Sequence, residues 1–221
     1  MSKENKTVKI KIDVVSDVVC PWCYIGKRRL EAALSRLPEN YEVDLTFLPF
    51  ELNPDTPKAG VNQKDYLADK FGSPDRYEQL TNHVAGVAAG EGLKFNYEKQ
   101  SVMPNTLDSH RLIQYAKGSG KQAALKEALM KAYFVDGTDL SKIENLVEIA
   151  VTNGFDRKEI ETFLNSDEGA YEVKQMEIMN QQRGISGVPF YIINNKYGVS
   201  GAQPSDTFVE ILNEVAKENA N

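Results

Sequence analysis

Apolar and polar residues alternate at the start of the chain, with Val8, Ile10 and Ile12 set against Lys9, Lys11 and Asp13, before the run turns continuously apolar through Val15. Period two with β-branched residues predicts a strand. Ser16 and Asp17 follow, then a cysteine-containing segment, and the period changes. From about Tyr24 to Leu37, the residues Ile25, Leu30, Ala33, Leu34 and Leu37 recur at three- and four-residue spacing, which predicts a helix. A loop at Pro38 to Asn40 leads to a second strand, Glu42 to Phe50. Strand, helix and strand in this order make a βαβ unit, whose crossover is expected to be right-handed.

The middle of the chain reads differently. From Asn53 to about Gln182 the pattern is helical and is interrupted at Pro and Gly positions. Helices are expected over 62–71, 74–90, 106–117, 120–135, 140–153, 156–165 and 168–183. Ser141 with Glu144 fits a capping box, and Asp156 with Glu159 repeats it with Asp at the cap. Strand signals return at Phe190 to Ile193 and Tyr197 to Ser200, joined by a turn at Asn194-Asn195. A last helix, 205–217, lines up Phe208, Val209, Ile211, Leu212 and Val215 on one face. Joined together, the two ends make βαβ–ββα, the minimal thioredoxin fold. The expected class is therefore α/β, a thioredoxin fold with a large inserted all-helical domain. Residues 1–54 and 184–221 form the thioredoxin-fold domain, and 55–183 form the insertion.

Composition narrows the function classes. The chain has 221 residues, 41% of them hydrophobic, enough for a sizeable core. Its 26 basic and 32 acidic residues leave a net charge of −6. That balance argues against a nucleic-acid partner, which needs a basic face. No basic run suggests a membrane surface, and no apolar stretch approaches the roughly 18 residues that span a bilayer. Residues 1–11, MSKENKTVKIK, lack the apolar core of a secretory signal, so a cytoplasmic location is expected. The sequence carries no signal for oligomeric state.

The two cysteines of the chain sit at Cys20 and Cys23, a C-x-x-C spacing. A structural disulfide framework uses more cysteines in a smaller chain. A zinc site needs about four ligands, and the remaining soft ligands, His83 and His110, do not fit finger or ribbon spacing. Two inert buried thiols are the other bland alternative. Redox chemistry requires the context found here, a strand handing over to a helix. At a helix start the first N–H groups lack intrahelical partners and the dipole favours negative charge, so a Cys20 thiolate is expected to be stabilised. Pro21 suits the first turn because its missing N–H costs nothing there. Cys23, one turn on, is within disulfide reach, so Cys20 attacks and Cys23 resolves. Gly187-Val188-Pro189 precedes the 190–193 strand, a position that tolerates proline.

With these segments in view, the chain resembles the DsbA-like thioredoxin superfamily, in particular its FrnE-like branch of dithiol–disulfide isomerases. The resemblance is carried by SDVVCPWCYIG (16–26), FELNP (50–54), PNTLDSHRL (104–112) and GISGVPFYIINNKYGVSGAQP (184–204). It implies a cis Pro189 facing the disulfide, with the backbone of Val188 pairing with bound substrate. It implies disulfide-containing proteins, or small thiols and disulfides, as partners, and no cofactor beyond the redox-active disulfide. The related 2-hydroxychromene-2-carboxylate isomerases and kappa-class glutathione transferases share the segments around Asn53 and Asn105. They support an alternative, an isomerase or transferase that uses Cys20 with a glutathione-type small thiol as co-substrate. Asn53, Asn105 and His110 are thus candidate substrate-binding residues, against the plain readings of turn or cap residues and an interior histidine. Trp22 is either part of a substrate platform or packed against the helices. Some relatives carry histidine between the cysteines; with Trp22 there instead, a less oxidising pair is expected.

Overall fold

The structure, a computed structural model, describes residues 7–219. Residues 1–6, half of the segment behind the cytoplasmic expectation, lie outside the described residues. The chain opens with β1 (Val8–Ser16), α1 (Pro21–Leu34) and β2 (Tyr41–Pro49), and β2 runs parallel to β1 from Val8↔Tyr41 to Ser16↔Pro49. It closes with β5 (Phe190–Ile193), β6 (Tyr197–Ser200) and α9 (Ser205–Asn219), giving one sheet of order β2-β1-β5-β6 with the β5 pairings antiparallel. The type of each of these six elements follows its sequence pattern. Ile10, Ile12 and Val14, the alternate residues of β1, are at most 3% exposed. Each contributes roughly 1.5–3 kcal/mol by leaving water. Asn194 and Asn195 both adopt left-handed backbone angles, φ 51° and 55°, which a two-residue hairpin of matching twist requires. Asn194 Oδ1 also accepts the Lys11 amide hydrogen at 2.8 Å, fastening the turn to β1.

Between the halves of this thioredoxin fold lies the helical insertion. It comprises α2 (Gln63–Phe71), α3 (Pro74–Gly90), α4 (Leu107–Tyr115), α5 (Gln122–Lys131), α6 (Ile143–Thr152), α7 (Arg157–Leu164) and α8 (Ala170–Gln182). The insertion covers the free edge of β2. Gln122 of α5 accepts the Phe47 amide hydrogen at 2.9 Å and donates to the Phe47 carbonyl at 3.1 Å, while Gln114 of α4 donates to the same carbonyl at 2.9 Å. Asn180 of α8 donates to Pro49 O at 3.3 Å, and Lys174 is paired with Glu51. An edge that could template another strand is thereby used up by side chains. A second anchor joins α5 to α1: Glu127 accepts from Tyr24 Oη at 2.6 Å and Lys27 Nζ at 2.6 Å, and is paired with Arg28.

Several local expectations change. Helix α1 starts at Pro21 rather than near Tyr24, because proline's fixed φ suits the first helical position. It stops at Leu34 and passes into tighter turns, in which the Arg36 and Leu37 amides donate to the Ala33 and Leu34 carbonyls at 3.1 and 3.2 Å. Asp156 caps α7 by accepting the Glu159 amide hydrogen at 3.0 Å. Ser141 does not cap α6: its hydroxyl and amide both donate to Asp139 Oδ1, at 2.6 and 2.9 Å, and Lys142 stands at the cap. Helix α6 begins one residue later than the capping box requires, which leaves Ser141 before the cap with its side chain turned back to Asp139. The helix expected over 120–135 ends at Lys131 and passes into a wider π-type turn, 132–136. The ladder of β3 (Val61–Asn62) with β4 (Val102–Met103) has two residues a side, too short to show a period. Among the described residues no helix is long and apolar enough to cross a membrane.

Candidate functional site

Cys20 is the cap residue of α1, with extended backbone angles (φ −88°, ψ 111°), and its carbonyl accepts the Cys23 and Tyr24 amide hydrogens at 3.1 and 3.3 Å. The first turn of the helix thus carries Pro21 and Trp22 between the two sulfurs. Both cysteines are free in the structure and each is 3% exposed. Burial, reinforced by the hydrogen bond and charge of Cys20, pushes the Cys23 thiol well above the ordinary range. The Cys20 thiol donates to the carbonyl of Val188 at 3.7 Å, and the Val188-Pro189 bond is cis, the isomer the family resemblance implies.

Helix α1 reaches β5 because residue 26 is glycine. A Cβ there would stand 2.3 Å from Tyr191 Oη and 3.2 Å from Pro189 Cγ. Tyr191 is fully buried, its ring set edge-on against Phe208 at 4.8 Å between centroids, and its hydroxyl has no partner. Tyr191→Phe is therefore expected to leave stability unchanged or raise it by up to about 1–3 kcal/mol, the cost of an unsatisfied buried hydroxyl. Thermal unfolding checks this, and a loss of stability would reveal a bond to that oxygen.

Above Cys20 opens a cleft of about 380 Å³, between the start of α1 and the inserted helices. Its walls are mostly apolar, with Leu67 and Phe71 from α2, Leu80 and Val84 from α3, and Phe134 from the π-type turn. Trp22, 36% exposed, lines the mouth together with Pro21 and Val188. Asn53 also lines it, and its Oδ1 accepts from Tyr66 Oη at 2.6 Å and Lys70 Nζ at 2.7 Å, which holds a cation at the entrance. Tyr97 lies deeper; burial, then the charges of Tyr77 and Cys20, raise its pKa.

Asn105 and His110 lie outside the cleft lining. Asn105 Nδ2 donates to Thr56 O at 3.0 Å and its Oδ1 accepts from the Leu107 amide at 3.0 Å, so it ties the 54–56 loop to the start of α4. His110, 1% exposed, directs Nε2 at Asp17 Oδ1 (3.2 Å) and Phe50 O (3.1 Å). Both neighbours are acceptors, so Nε2 carries the hydrogen. Asp17 Oδ2 in turn accepts the Leu52 amide hydrogen at 2.8 Å. This buried unit fixes the loop that presents Asn53. His83 is exposed on α3, and among the described residues no group of three or more His, Cys, Asp or Glu side chains could hold a metal ion.

The pattern reading missed Lys126, which is 1% exposed beneath the pair. The signal was present: in α5 the core positions Gln122, Leu125, Leu129 and Met130 recur at helical spacing, and Lys126 stands on the same stripe. The cleft walls from α2 and α3 were also missed, because their apolar residues are not distinguishable from core residues by spacing alone.

Known proteins place this geometry. A crystal structure of a probable DsbA oxidoreductase from Streptomyces coelicolor is similar at a TM-score of 0.87 and 34% identity, covering 93% of this chain and 89% of that one. The cytosolic disulfide reductase DsbM of Pseudomonas aeruginosa, solved with GSH, has a TM-score of 0.67 at 15% identity, covering 93% and 98%. An uncharacterised Bacillus subtilis protein, YwbO, is 24% identical over 212 residues, 95% of this chain and 98% of its own length. The DsbA-like thioredoxin domain matches residues 11–213. Because that match runs from β1 into α9 and takes in both the sheet and the helices between its halves, the chain belongs to the DsbA-like thioredoxin domain family of thiol–disulfide oxidoreductases.

Proposed function

We propose that the chain exchanges disulfides in two steps at one pair of sulfurs. The Cys20 thiolate attacks a substrate disulfide, one substrate sulfur leaves as a thiolate, and a mixed disulfide remains on Cys20. Cys23 then loses its proton to solvent and attacks Cys20 Sγ. The Cys20–Cys23 bond forms, the mixed disulfide breaks, and the second substrate sulfur leaves. Cys20 and Cys23 end oxidised and the substrate reduced; the reverse sequence oxidises a dithiol. The observation that carries this reading is the placement of Cys20 at a helix cap on the cleft floor, with Cys23 buried one turn behind. Val188, whose carbonyl faces Cys20, and Pro189 form the surface against which the partner lies. Residues 1–54 and 184–221 form one domain in this reading, 55–183 a second, and the protein works in the cytoplasm.

A second reading has a specific observation behind it. The cleft, of about 380 Å³, is mostly apolar, with Lys70 held by Asn53 at its mouth, which suits a small thiol bearing a carboxylate. In that reading the chain is a glutathione-type isomerase or transferase that uses Cys20. One comparison separates the two: catalysed reduction of insulin by dithiothreitol against conjugation of glutathione to an electrophile. Insulin reduction lost in Cys20→Ser, with no conjugation above background, is the expected outcome. Conjugation that survives in Cys23→Ala would favour the transferase.

A further inference from the structure

Helix α5 sends two adjacent side chains toward the redox helix. Glu127 meets Tyr24, Lys27 and Arg28, as described. Lys126 turns inward, where its ammonium donates to the Ser16 carbonyl at 3.3 Å and stands 5.9 Å from the centre of the Phe47 ring. Among the described residues no carboxylate lies within ion-pair distance of it: the Asp17 carboxylate is taken by His110 and the Leu52 amide. Burying a lone ammonium is costly, and apolar replacements of buried charges are often neutral or stabilising. Stability therefore does not account for a lysine at this core position. Its surroundings suggest another role. The carbonyl that Lys126 binds and the Asp17 N–H belong to the same peptide unit, and the Asp17 backbone acts on Cys23 in the direction that lowers its pKa.

We propose that Lys126 is a positioning residue for the resolving half-reaction, supporting the Cys23 thiolate through the Ser16–Asp17 peptide. This rests on the reading of Cys23 as the resolving thiol. An ammonium on the carbonyl oxygen polarises the peptide and makes its N–H a stronger donor to the sulfur at the other end. The same positive charge acts directly on Cys23 across a medium that screens weakly. The Cys23 proton leaves to solvent, the thiolate attacks Cys20 Sγ, and the electron pair of the broken mixed disulfide departs with the partner's sulfur. The charged or titratable groups facing Lys126 are Cys20, Cys23 and Lys27 from α1 and Asp17 after β1. Lys27 is held by Glu31 and Glu127, and His110 acts on this cluster through Asp17. Burial lowers the Lys126 pKa to about 8, against the opposing influence of Cys23, Asp17 and Cys20. The ammonium therefore predominates at neutral pH, and its support of Cys23 fades as pH rises through that value.

Rapid mixing of the reduced protein with 5,5′-dithiobis(2-nitrobenzoate) separates the steps, since attack by Cys20 and resolution by Cys23 each release one thionitrobenzoate. The second phase is followed where its rate no longer depends on reagent concentration. In Cys23→Ala the first phase should remain and the second vanish; a second phase that persists there would reject the resolving role itself. In Lys126→Met the first phase should stay within about threefold of wild type. The second should slow by about tenfold or more at neutral pH, the factor for one unit of pKa, with its pH profile displaced upward and rejoining wild type at high pH. Should Lys126→Met fail to fold, by circular dichroism and thermal unfolding, Lys126→Gln is judged by the same outcomes. A second-phase profile that superimposes on wild type, or two phases slowed by the same factor, would overturn the proposal.

Discussion

Cys23→Ala is expected to halt exchange at the mixed disulfide. The variant keeps Cys20, the cap geometry and the Val188 contact, so the first attack proceeds. What is lost is an attacking thiol held one helical turn away, and an intramolecular nucleophile outpaces an external thiol at cellular concentrations by on the order of 10³-fold or more. Adducts should therefore accumulate on Cys20 and be released by added dithiothreitol. Their nature reports the substrate. Many bands of different mass on non-reducing gels mean polypeptide partners reaching Cys20 across the rim formed by Trp22 and Phe71. A single small mass added to Cys20, seen by intact-protein mass spectrometry, means that the 380 Å³ cleft selects a small thiol. Adducts that persist in Cys20→Ser/Cys23→Ala cannot come from this site, as the chain has no other cysteine. A single variant that traps nothing would remove the two-step exchange.

The second large effect concerns stability. His110→Ala should cost about 3–5 kcal/mol, because it leaves the Asp17 carboxylate buried without its imidazole partner. At about 2–4 °C per kcal/mol for a chain of this size, the melting temperature should fall on the order of 10 °C. The pH dependence distinguishes this cause from simple loss of packing. In the native protein burial alone would raise the Asp17 pKa. The interaction with His110, with help from the Leu52 amide and the charge of Lys126, more than reverses that and holds the carboxyl below its ordinary value. A lowered carboxyl pKa contributes stability that is present above the unfolded pKa of about 3.9 and is lost as pH falls through the lower folded value. Without His110 the burial effect is opposed only by the Leu52 amide and the charge of Lys126, so the folded pKa should rise and the stabilising contribution of Asp17 at neutral pH should fall. The difference between variant and wild type should therefore be large at neutral pH and shrink in acid. Equal differences at both would mean that the loss is a cavity. Asp17→Asn in the His110→Ala background should recover part of the stability at neutral pH, as the buried charge is gone.

The chain's local patterns determined most of the scaffold by themselves. Period-two alternation in β1, the apolar run of β5, and the Asn194-Asn195 turn act over a few residues, so element type and hairpin geometry are written where they occur. The same holds for Cys20, Pro21 and Cys23, whose placement at a helix start depends on one strand-to-helix junction. What local pattern cannot carry is which distant groups meet. Asp17 and His110 are 93 positions apart, and Lys126 reaches Ser16 over 110. Nothing in the spacing of either residue names its partner, because a buried charge is positioned by the packing of several helices at once. For the same reason Asn53 and Asn105, alike as sequence candidates, separate in space: Asn53 carries Lys70 to the cleft mouth, whereas Asn105 spends its amide group on the loop at 54–56. Ser141 lost its expected cap because α6 starts one residue later, with Lys142 at the cap and Ser141 turned back to Asp139. The sequence thus determined the C-x-x-C pair and the fold that presents it. Only the tertiary structure decided what surrounds the pair, since the cleft walls and the buried Lys126 come from helices that reach Cys20 and Cys23 by packing against β2 and α1.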